Sequence, residues 1–259
     1  MSKALAIIPA RWGSTRFPGK ALHRIAGKEL LRRVWERCCL ARKLDQVIIA
    51  TDDMRIAETA FGWGAEVALT STKHVSGTDR VAEVAVRARG AGVVLNVQGD
   101  EPMTNPRLLD RMIECLQDNS SIGIVTAAHP FESDDDVLSP HQVKVVRDLK
   151  GNALYFSRSP IPHFRSGLAY ILRHQGIYGY RRATLLRFIK WRPSPLEIAE
   201  SLEQLRALEN GVTVHVLLTK HGSPGIDTPA DALALEQSLS TQGHGSRPTR
   251  SSLPRPRRK

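Results

Sequence analysis

Short apolar runs alternate with segments of helical periodicity through the first half of the chain. Residues 4–9 and 46–50 are apolar runs of strand length, whereas apolar residues between 30 and 40 recur at the spacing of a helix. The same alternation predicts helices at 53–61, 78–89 and 105–117, and strands at 66–69, 92–97 and 122–126. Buried strands separated by helices predict an α/β fold whose sheet is mainly parallel and covered on both faces.

The pattern changes between about residues 128 and 180. Three strand-like runs, at 143–146, 153–156 and 176–180, follow one another without full helices between them. We interpret this segment as a small β-rich insertion. Helices near 181–190 and 197–209, a strand at 212–218 and a last helix at 228–239 complete the pattern. The sequence therefore predicts one domain over residues 1–239.

The cysteines and the first residues bear on the location of the protein. Cys38, Cys39 and Cys115 contain no C-x-x-C pair and are odd in number, which suits a reducing compartment better than a disulfide framework. The first apolar run is interrupted by proline and arginine, and no later run approaches the length of a membrane span. We expect a cytoplasmic protein without a membrane span.

The formal net charge of +11 suggests nucleic-acid binding, but much of it lies in one segment. Residues 240–259 hold six basic residues and no acidic one, and Ser, Pro, Gly and Arg dominate there. We interpret 240–259 as a basic, disordered tail and expect no specific nucleic-acid partner. A nucleic-acid-binding protein driven by this tail is the alternative, and it would lose salt-sensitive affinity when the tail is deleted.

Three polar segments directly follow apolar strands: RWGSTRFPGK, TDD and QGDEP. Ligands of open α/β sheets bind outside the carboxyl ends of the strands. We therefore expect these segments to gather on one edge of the sheet and to share one site.

Segment 9–20, PARWGSTRFPGK, suits a triphosphate. It combines glycines with Arg11, Arg16 and Lys20, the hydroxyls of Ser14 and Thr15, and no acidic residue. Backbone N–H groups of such a loop can approach phosphate oxygens, while the cations offset their charge. A surface loop with scattered charges is the alternative from these residues alone.

Two better-known phosphate loops are excluded. A P-loop has four residues between its glycines and Ser or Thr after the lysine, whereas five residues separate Gly13 from Gly19 and Ala21 follows Lys20. The G-x-G-x-x-G fingerprint is absent, which counts against an NAD-dependent oxidoreductase, a second alternative.

Candidate metal-binding carboxylates lie in two segments that are far apart in the sequence. Segment 96–102, NVQGDEP, puts Asp100 and Glu101 at the end of a predicted strand, and Asp227 lies in GIDTPAD. Carboxylates beside a phosphate loop are common oxygen ligands of Mg²⁺. An ordinary helix N-cap is the alternative for Asp227.

Further polar residues have both a chemical and a structural interpretation. Segment 74–80, HVSGTDR, supplies a hydroxyl, a glycine turn and an arginine, but Ser76 or Thr78 could simply cap a helix. Arg158 has a planar fork suited to a carboxylate, or it is a surface arginine.

The last candidates lie on two predicted elements. His174 and Tyr178 are two strand repeats apart, so both side chains point to one face of a strand, where they could equally be core residues. Glu203 and Gln204 lie on a helix with an apolar side at Leu202, and a solvated helix face is the alternative for them.

Together these motifs resemble those of the 3-deoxy-manno-octulosonate (Kdo) cytidylyltransferases, also called CMP-Kdo synthetases. The chain has the loop form IPAR-x-x-STR-x-PGK-x-L, then H-x-SGT-[DE]-R, QGDEP and G-[VI]-DTP-x-D, within a similarity that runs from residue 3 to about 239. Relatives that act on sialic acid typically have lysine where this chain has Thr15. The resemblance implies a Rossmann-like, three-layer nucleotidyltransferase sheet and a homodimer that pairs through the β insertion.

The resemblance also implies roles for individual residues. It implies that Asp100 and Asp227 hold the metal, and that Lys20 and Arg11 neutralise charge at the reacting phosphate. The implied nucleotide-binding residues are Ala10, Arg11, Ser14, Arg16, Lys20, Ser76, Gly77, Arg80 and Gln98. The implied sugar-binding residues are Arg158, His174, Tyr178, Glu203 and Gln204.

The implied activity is transfer of CMP from CTP to the anomeric 2-hydroxyl of Kdo, with release of pyrophosphate. CTP and Kdo would be the substrates and Mg²⁺ the cofactor, and the product would serve lipopolysaccharide synthesis. An 8-amino analogue of Kdo, or another 2-keto sugar acid, is the alternative acceptor. The hypothesis requires Lys20, Asp100 and Asp227 to lie together in the folded chain.

Overall fold

The structure is built from strands and helices that alternate along the chain. The computed structural model describes residues 2–13, 16–131, 134–163, 165 and 171–243. The strands are β1 (Lys3–Ala10), β2 (Arg24–Ile25), β3 (Lys28–Glu29), β4 (Gln46–Thr51), β5 (Glu66–Leu69), β6 (Ala91–Asn96), β7 (Ile124–Pro130), β8 (Lys144–Arg147), β9 (Ala153–Ser157), β10 (Leu172–Arg181) and β11 (Val214–Leu218). The helices are α1 (Leu30–Cys39), α2 (Met54–Gly62), α3 (Gly77–Arg87), α4 (Pro106–Asp118), α5 (Asp134–Leu138), α6 (Arg182–Phe188), α7 (Pro195–Glu200), α8 (Leu205–Glu209) and α9 (Pro229–Gly243), with a short 3₁₀ helix at Lys20–Leu22.

Within the described residues, nine strands form one mixed sheet in the order β11-β7-β10-β6-β1-β4-β5, with β8 and β9 attached beside β10. β1 pairs in parallel with β4 and β6, β4 with β5, and β7 with β11. β10 is antiparallel to both of its neighbours, β6 and β7. The predicted α/β fold with a mainly parallel sheet is confirmed.

The sheet has a hydrophobic layer on each face, as strand geometry requires. Side chains alternate between the faces of a strand. On β1, Ala6 and Ile8 join the cluster that includes α1 and α4, whereas Ile7 joins the cluster that includes α3 and α6. The strands are therefore buried on both sides, which explains their near-continuous apolar sequences.

The segment expected to be a β insertion differs from the prediction at its end. β8 and β9 lie at the side of the sheet, but β10 continues into its middle, where Tyr178 to Arg181 pair with β6. Gly179 permits this position, because a Cβ there would lie 2.7 Å from Val125 and 2.8 Å from Leu95.

The predicted helix 197–209 is divided into two. α7 ends at Glu200, and Ser201 follows with a left-handed backbone conformation of φ 51° and ψ 48°. α8 then starts at Leu205, so Glu203 and Gln204 lie between two short helices instead of within one long helix.

The last helix is longer than predicted, since α9 runs to Gly243 and includes the first residues of the expected tail. The remainder of that tail, 244–259, lies outside the described residues. None of the described helices combines the length and the apolar composition needed to cross a membrane.

Candidate active site

Three segments that are distant in sequence meet at the carboxyl edge of the sheet. β1 ends at Ala10 and β6 at Asn96, and because these strands are parallel neighbours the segments after them emerge side by side. The N–H of Ile226 donates to the carbonyl of Asp100 at 2.9 Å and brings the segment before α9 to the same edge. The polar segments therefore share one site, as the sheet topology predicts.

Lys20 lies between the two aspartates of the sequence hypothesis. Its Nζ is 2.6 Å from Oδ2 of Asp100 and 3.4 Å from Oδ1 of Asp227. Arg16 is 3.1 Å from the same oxygen of Asp227. The Lys20 side chain is 16% exposed, Asp100 29% and Asp227 49%, so the cluster opens to solvent on the side of the carboxylates. The required convergence of Lys20, Asp100 and Asp227 is present.

A glycine turn presents Lys20 to this cluster. Gly19 has φ +70°, and its N–H donates to the carbonyl of Trp12 at 3.3 Å. A Cβ at Gly19 would lie 3.3 Å from the Trp12 indole, which in turn lies 3.6 Å from the guanidinium carbon of Arg55. Glycine suits this position for two reasons: it tolerates the left-handed conformation, and it leaves room for the indole.

A second turn fixes Asp227. The Asp231 carboxylate accepts hydrogen bonds from the backbone N–H groups of Asp227 and Thr228, at 2.9 and 2.8 Å. Burial alone would raise the pKa of Asp231, but these hydrogen bonds lower it below its ordinary value. Asp231 is thus held as a carboxylate that positions the backbone of Asp227. It is not one of the two carboxylates, Asp100 and Asp227, that contact Lys20.

The pair of carboxylates is chemically suited to Mg²⁺. The Lys20 ammonium contacts both of them, which shows that Asp100 and Asp227 can share one cationic group. Among the described residues, no group of three or more His, Cys, Asp or Glu side chains gathers as a metal site. Mg²⁺ commonly takes one or two carboxylates and completes its shell with phosphate oxygens and water, so two aspartates beside a phosphate loop fit it.

A polar cavity of about 430 Å³, here called cavity A, lies over this cluster. It is bounded by the loop after β1, the start of α3 and the segment after β6. Its predicted members are Ala10, Arg11, Arg16, Lys20, Ser76, Gly77, Arg80, Gln98, Asp100 and Asp227. Ser14, the remaining predicted nucleotide-binding residue, lies outside the described residues.

A second cavity, of about 480 Å³ and here called cavity B, shares Asp100 and Asp227 with cavity A. His174 is the predicted sugar-binding residue in its wall. The two aspartates therefore stand at the boundary between cavity A and cavity B.

Comparisons with known proteins agree with this geometry. The family model for cytidylyltransferases matches residues 5–215. A 3-deoxy-manno-octulosonate cytidylyltransferase of Geobacter sulfurreducens is 50% identical over 238 residues, which cover 87% of this chain and 95% of the relative. One of Myxococcus xanthus is 44% identical, over 93% and 98% of the two chains. The chain belongs to the 3-deoxy-manno-octulosonate cytidylyltransferase family.

Solved structures support the same family. A CMP:2-keto-3-deoxy-manno-octonic acid synthetase complexed with CTP superimposes with a TM-score of 0.90 at 38% identity, over 93% of this chain and all of the other. A cytidylyltransferase from Leptospira borgpetersenii, 18% identical, has a TM-score of 0.64 over 93% and 88% of the two chains, which shows the shared fold alone. The resemblance inferred from the motifs is confirmed.

In this cytidylyltransferase, Arg80 is a buried part of the cavity A wall. Its guanidinium pairs with Asp52 at 2.9 Å and hydrogen-bonds Thr70, and its side chain is only 6% exposed. Asp52 belongs to the TDD segment after β4, so that segment reaches the site through Arg80. His74, for which no role was predicted, also lines cavity A, and its Nε2 lies 2.5 Å from Oε2 of Glu83.

His174 and Tyr178 share one face of β10, as their spacing predicts. Their ring centroids are 5.4 Å apart, and His174 lies edge-on to Phe156 at 5.0 Å. Burial lowers the pKa of His174 to about 3, so the imidazole is neutral at physiological pH. Its Nε2 lies 2.9 Å from Oγ1 of Thr126.

Glu203 and Gln204 lie near the start of α8. Glu203 accepts a hydrogen bond of 2.5 Å from Thr78, while burial raises its pKa above the ordinary value. Gln204 is buried at the N-cap position of α8. Glu203, Gln204 and Tyr178 do not belong to the described linings of cavities A and B, and their sugar-binding roles stay predictions.

The Arg158 guanidinium, which was predicted to bind a carboxylate, is bonded to backbone carbonyls in the structure. It donates to the carbonyls of Glu200, Pro140 and Ser201, at 2.8, 2.9 and 3.3 Å. These bonds clamp the turn after α7 to the segment before β8. Sugar binding by Arg158 stays a prediction. The three bonds use three of the five N–H donors of the guanidinium, so two N–H groups remain for a further acceptor.

Two charged residues of cavity B were not selected as site residues from the sequence. Glu101 and Arg173 both line it. Burial, followed by the charge of Asp100, raises the pKa of Glu101 to about 8. The motif QGDEP contains Glu101, so its position was visible in the sequence, but Arg173 has no sequence signal other than lying next to His174.

Proposed function

We propose that this chain transfers CMP from CTP to the anomeric 2-hydroxyl of Kdo and releases pyrophosphate. The observation that carries the proposal is the contact of Lys20 with both Asp100 and Asp227 at the boundary of two cavities. Cationic side chains and carboxylates on one boundary suit transfer of a phosphate-linked group between two substrates. The names of the relatives and of the CTP-bound structure support the choice of nucleotide and sugar.

In the proposed reaction, Arg11, Arg16 and Lys20 bind the triphosphate in cavity A. They offset its charge and hold the α-phosphorus facing cavity B, which takes the sugar acid. The sugar hydroxyl oxygen attacks the α-phosphorus in line, the bond to the β-phosphate oxygen breaks, and the hydroxyl proton passes to solvent. No covalent enzyme intermediate is needed.

Asp100 and Asp227 are the proposed ligands of Mg²⁺. Bound there, the ion would supply charge neutralisation at the α-phosphate. Lys20 contacts the same carboxylates, so it would neutralise charge at the same phosphate as the reaction proceeds. A chelator should abolish pyrophosphate release and added Mg²⁺ should restore it, whereas full activity in excess chelator would count against the metal.

The test of the activity is pyrophosphate release by the purified chain with Mg²⁺. Kdo, its 8-amino analogue and sialic acid would be compared with CTP, and CTP would be compared with UTP and ATP using Kdo. We expect release with CTP and Kdo and little with sialic acid, UTP or ATP. Preference for the 8-amino analogue would favour the alternative acceptor, and no release with either Kdo sugar would overturn the proposal.

We also propose a homodimer in the cytoplasm, as the sequence predicted. β9 pairs only with β8 among the described strands, and its Leu154 is 63% exposed, so this edge can pair with a second copy. Light scattering should give twice the chain mass, and Leu154→Glu should give monomers. Leu69→Glu, on the opposite edge strand β5, is the matched control and should leave a dimer; a monomeric wild-type protein would contradict the proposal.

A further inference from the structure

Trp12 and Gly19 form the neck of the loop that carries the cations of cavity A, here called the loop neck. The N–H of Gly19 donates to the carbonyl of Trp12 at 3.3 Å, and a Cβ at Gly19 would lie 3.3 Å from the Trp12 indole. Arg11 precedes the loop neck, Lys20 follows it and Arg16 lies within the loop, and all three line cavity A. The geometry of the loop neck therefore sets how far apart these cations stand.

The Trp12 indole also contacts Arg55, in the first turn of α2. The guanidinium carbon of Arg55 lies 3.6 Å from the centre of the indole, well within the range of about 6 Å for a cation–π contact. The Arg55 side chain is 58% exposed, and Trp12 is not in the described lining of cavity A. The contact therefore acts on the loop neck from outside the cavity.

Asp53 fixes the position of the Arg55 guanidinium. Asp53 is the N-cap of α2, where its carboxylate accepts the backbone N–H of Arg55 at 3.0 Å. It also accepts from Nε of Arg55 at 3.0 Å and from Nη2 at 2.5 Å, which leaves the planar guanidinium little freedom to turn away. Asp52, the preceding residue, pairs with Arg80 of the cavity A wall at 2.9 Å. The segment after β4 thus contacts both the loop neck and the wall of cavity A.

We propose that Trp12 and Arg55 are positioning residues that hold the loop neck so that its cations face the triphosphate. The inference rests on the proposed function, in which Arg11, Arg16 and Lys20 bind the triphosphate in cavity A. A loop that is held in its binding conformation loses less entropy when a ligand orders it. The benefit should therefore appear in the binding of the triphosphate, and not in the binding of the sugar or of the nucleoside.

The first test is Arg55→Gln, which removes the cation–π contact at an exposed position and should leave the fold intact. The KM for CTP should rise about twofold to fivefold, which corresponds to the loss of an exposed cation–π contact. Arg55→Lys keeps a cation but loses the fork held by Asp53, so its KM for CTP should lie between those of the wild type and Arg55→Gln. The KM for Kdo should be unchanged in both variants.

Substitution of Trp12 should have a larger effect. Trp12→Leu removes the ring from its contacts with both Gly19 and Arg55, so we expect the KM for CTP to rise about tenfold. Trp12→Phe keeps an aromatic face and should recover most of the affinity for CTP. If Trp12→Leu does not fold, the comparison of Trp12→Phe with the two Arg55 variants replaces it.

A second arginine–indole contact supplies the matched control. Arg32 of α1 lies over the Trp63 ring at 5.9 Å, and neither residue belongs to the described linings of cavities A and B. Arg32→Gln and Trp63→Leu should therefore leave both KM values unchanged. An equal rise in the KM for CTP in these control variants would show a general loosening of the fold and would contradict the inference.

Binding without turnover separates the triphosphate from the nucleoside. The Kd of CTP and the Kd of cytidine would be measured with Mg²⁺ present and Kdo absent. Trp12→Leu should weaken the binding of CTP but not that of cytidine, because cytidine has no phosphate to meet the cations. Equal weakening of both ligands would show a structural defect of cavity A instead of a role in positioning the cations.

A double-mutant cycle tests whether Arg55 acts through Trp12. If it does, Arg55→Gln should add little to the CTP defect of Trp12→Leu. Additive effects, or an unchanged KM for CTP in both single variants, would overturn the inference. Absence of pyrophosphate release by the wild-type chain would instead defeat the proposed function, while the Kd of CTP would still test the loop neck, so the two failures are distinguishable.

Discussion

At the scale of single residues, the proposed role of Asp100 and Asp227 as Mg²⁺ ligands can be tested by substitution. We predict that Asp100→Asn or Asp227→Asn lowers kcat at least about 100-fold, which corresponds to about 3 kcal/mol of barrier. The folded state should survive, because asparagine keeps the size of aspartate and Lys20 would still contact the remaining aspartate. Asp118→Asn, at the exposed end of α4 opposite the site, is the control and should keep full activity. Pyrophosphate release at saturating Mg²⁺ and thermal unfolding measure both effects; near-normal kcat in either variant would contradict the assignment.

His174 gives a prediction about pH. Its pKa is about 3 in the folded protein against 6.5 for an unperturbed histidine, because burial disfavours the charged ring. The unfolded chain therefore binds the extra proton first, so the stability from His174 is complete above pH 6.5 and is lost as pH falls from 6.5 towards 3. Compared with His174→Phe, the wild type should lose about 1.4 kcal/mol per pH unit below 6.5.

Urea unfolding at pH 7.0, 6.0 and 5.0 measures this slope. Equal slopes for the wild type and His174→Phe would show that the folded and unfolded chains bind a proton equally at His174, which would contradict a lowered pKa.

At the scale of elements, β10 depends on a glycine at the centre of the sheet. We predict that Gly179→Ala lowers the free energy of unfolding by about 1–3 kcal/mol, because the new methyl group would overlap the buried Val125 and Leu95. Gly90→Ala is the matched control, since a Cβ there meets open space, and it should be close to neutral. Urea unfolding gives both values, and equal stability of the two variants would contradict close packing at Gly179.

Most elements were predictable because their signal is local. The runs at 4–9, 46–50 and 92–97 are apolar except for Gln46 and Asn96, as expected of strands buried on both faces, and they became β1, β4 and β6. The central antiparallel position of β10 was not predictable, since it depends on pairing with distant strands. The break at Ser201 was missed because the leucine spacing continues across it, while one residue in a left-handed conformation ends the helix.

The candidate site, too, was predictable where the signal is local and not where it depends on contacts between distant segments. The loop after β1 and the two aspartates were found by motif, and the strand ends brought them together. The carbonyl partners of Arg158 and the bond from Thr78 to Glu203 join segments that are distant in sequence. Such contacts are properties of the folded chain and leave no periodicity or motif in the sequence.

At the scale of the whole molecule, we expect the active site to depend on α9 but not on the residues that follow it. In α9, Ala232 packs in a small cluster with Phe17, Ile25 and Leu30, and the Glu236 carboxylate accepts a hydrogen bond of 2.7 Å from the N–H of Ala26. These contacts hold the chain on both sides of Lys20. The loop that presents Lys20 therefore depends on α9.

Two truncations test this difference. A chain that ends at Gly243 loses six net positive charges, from +11 to +5, but keeps every α9 contact, so kcat and both KM values should stay within about twofold. A chain that ends at Asp231 loses Ala232 and Glu236 and exposes Phe17, so turnover should fall by more than tenfold. Duplex DNA titrated at low and high salt serves as the charge control: any binding by the full chain should weaken in the first truncation without a change in rate. If removal of residues 244–259 alone lowers both pyrophosphate release and DNA binding, the basic segment contributes to the activity. The interpretation of this segment as a tail without a specific partner would then be wrong.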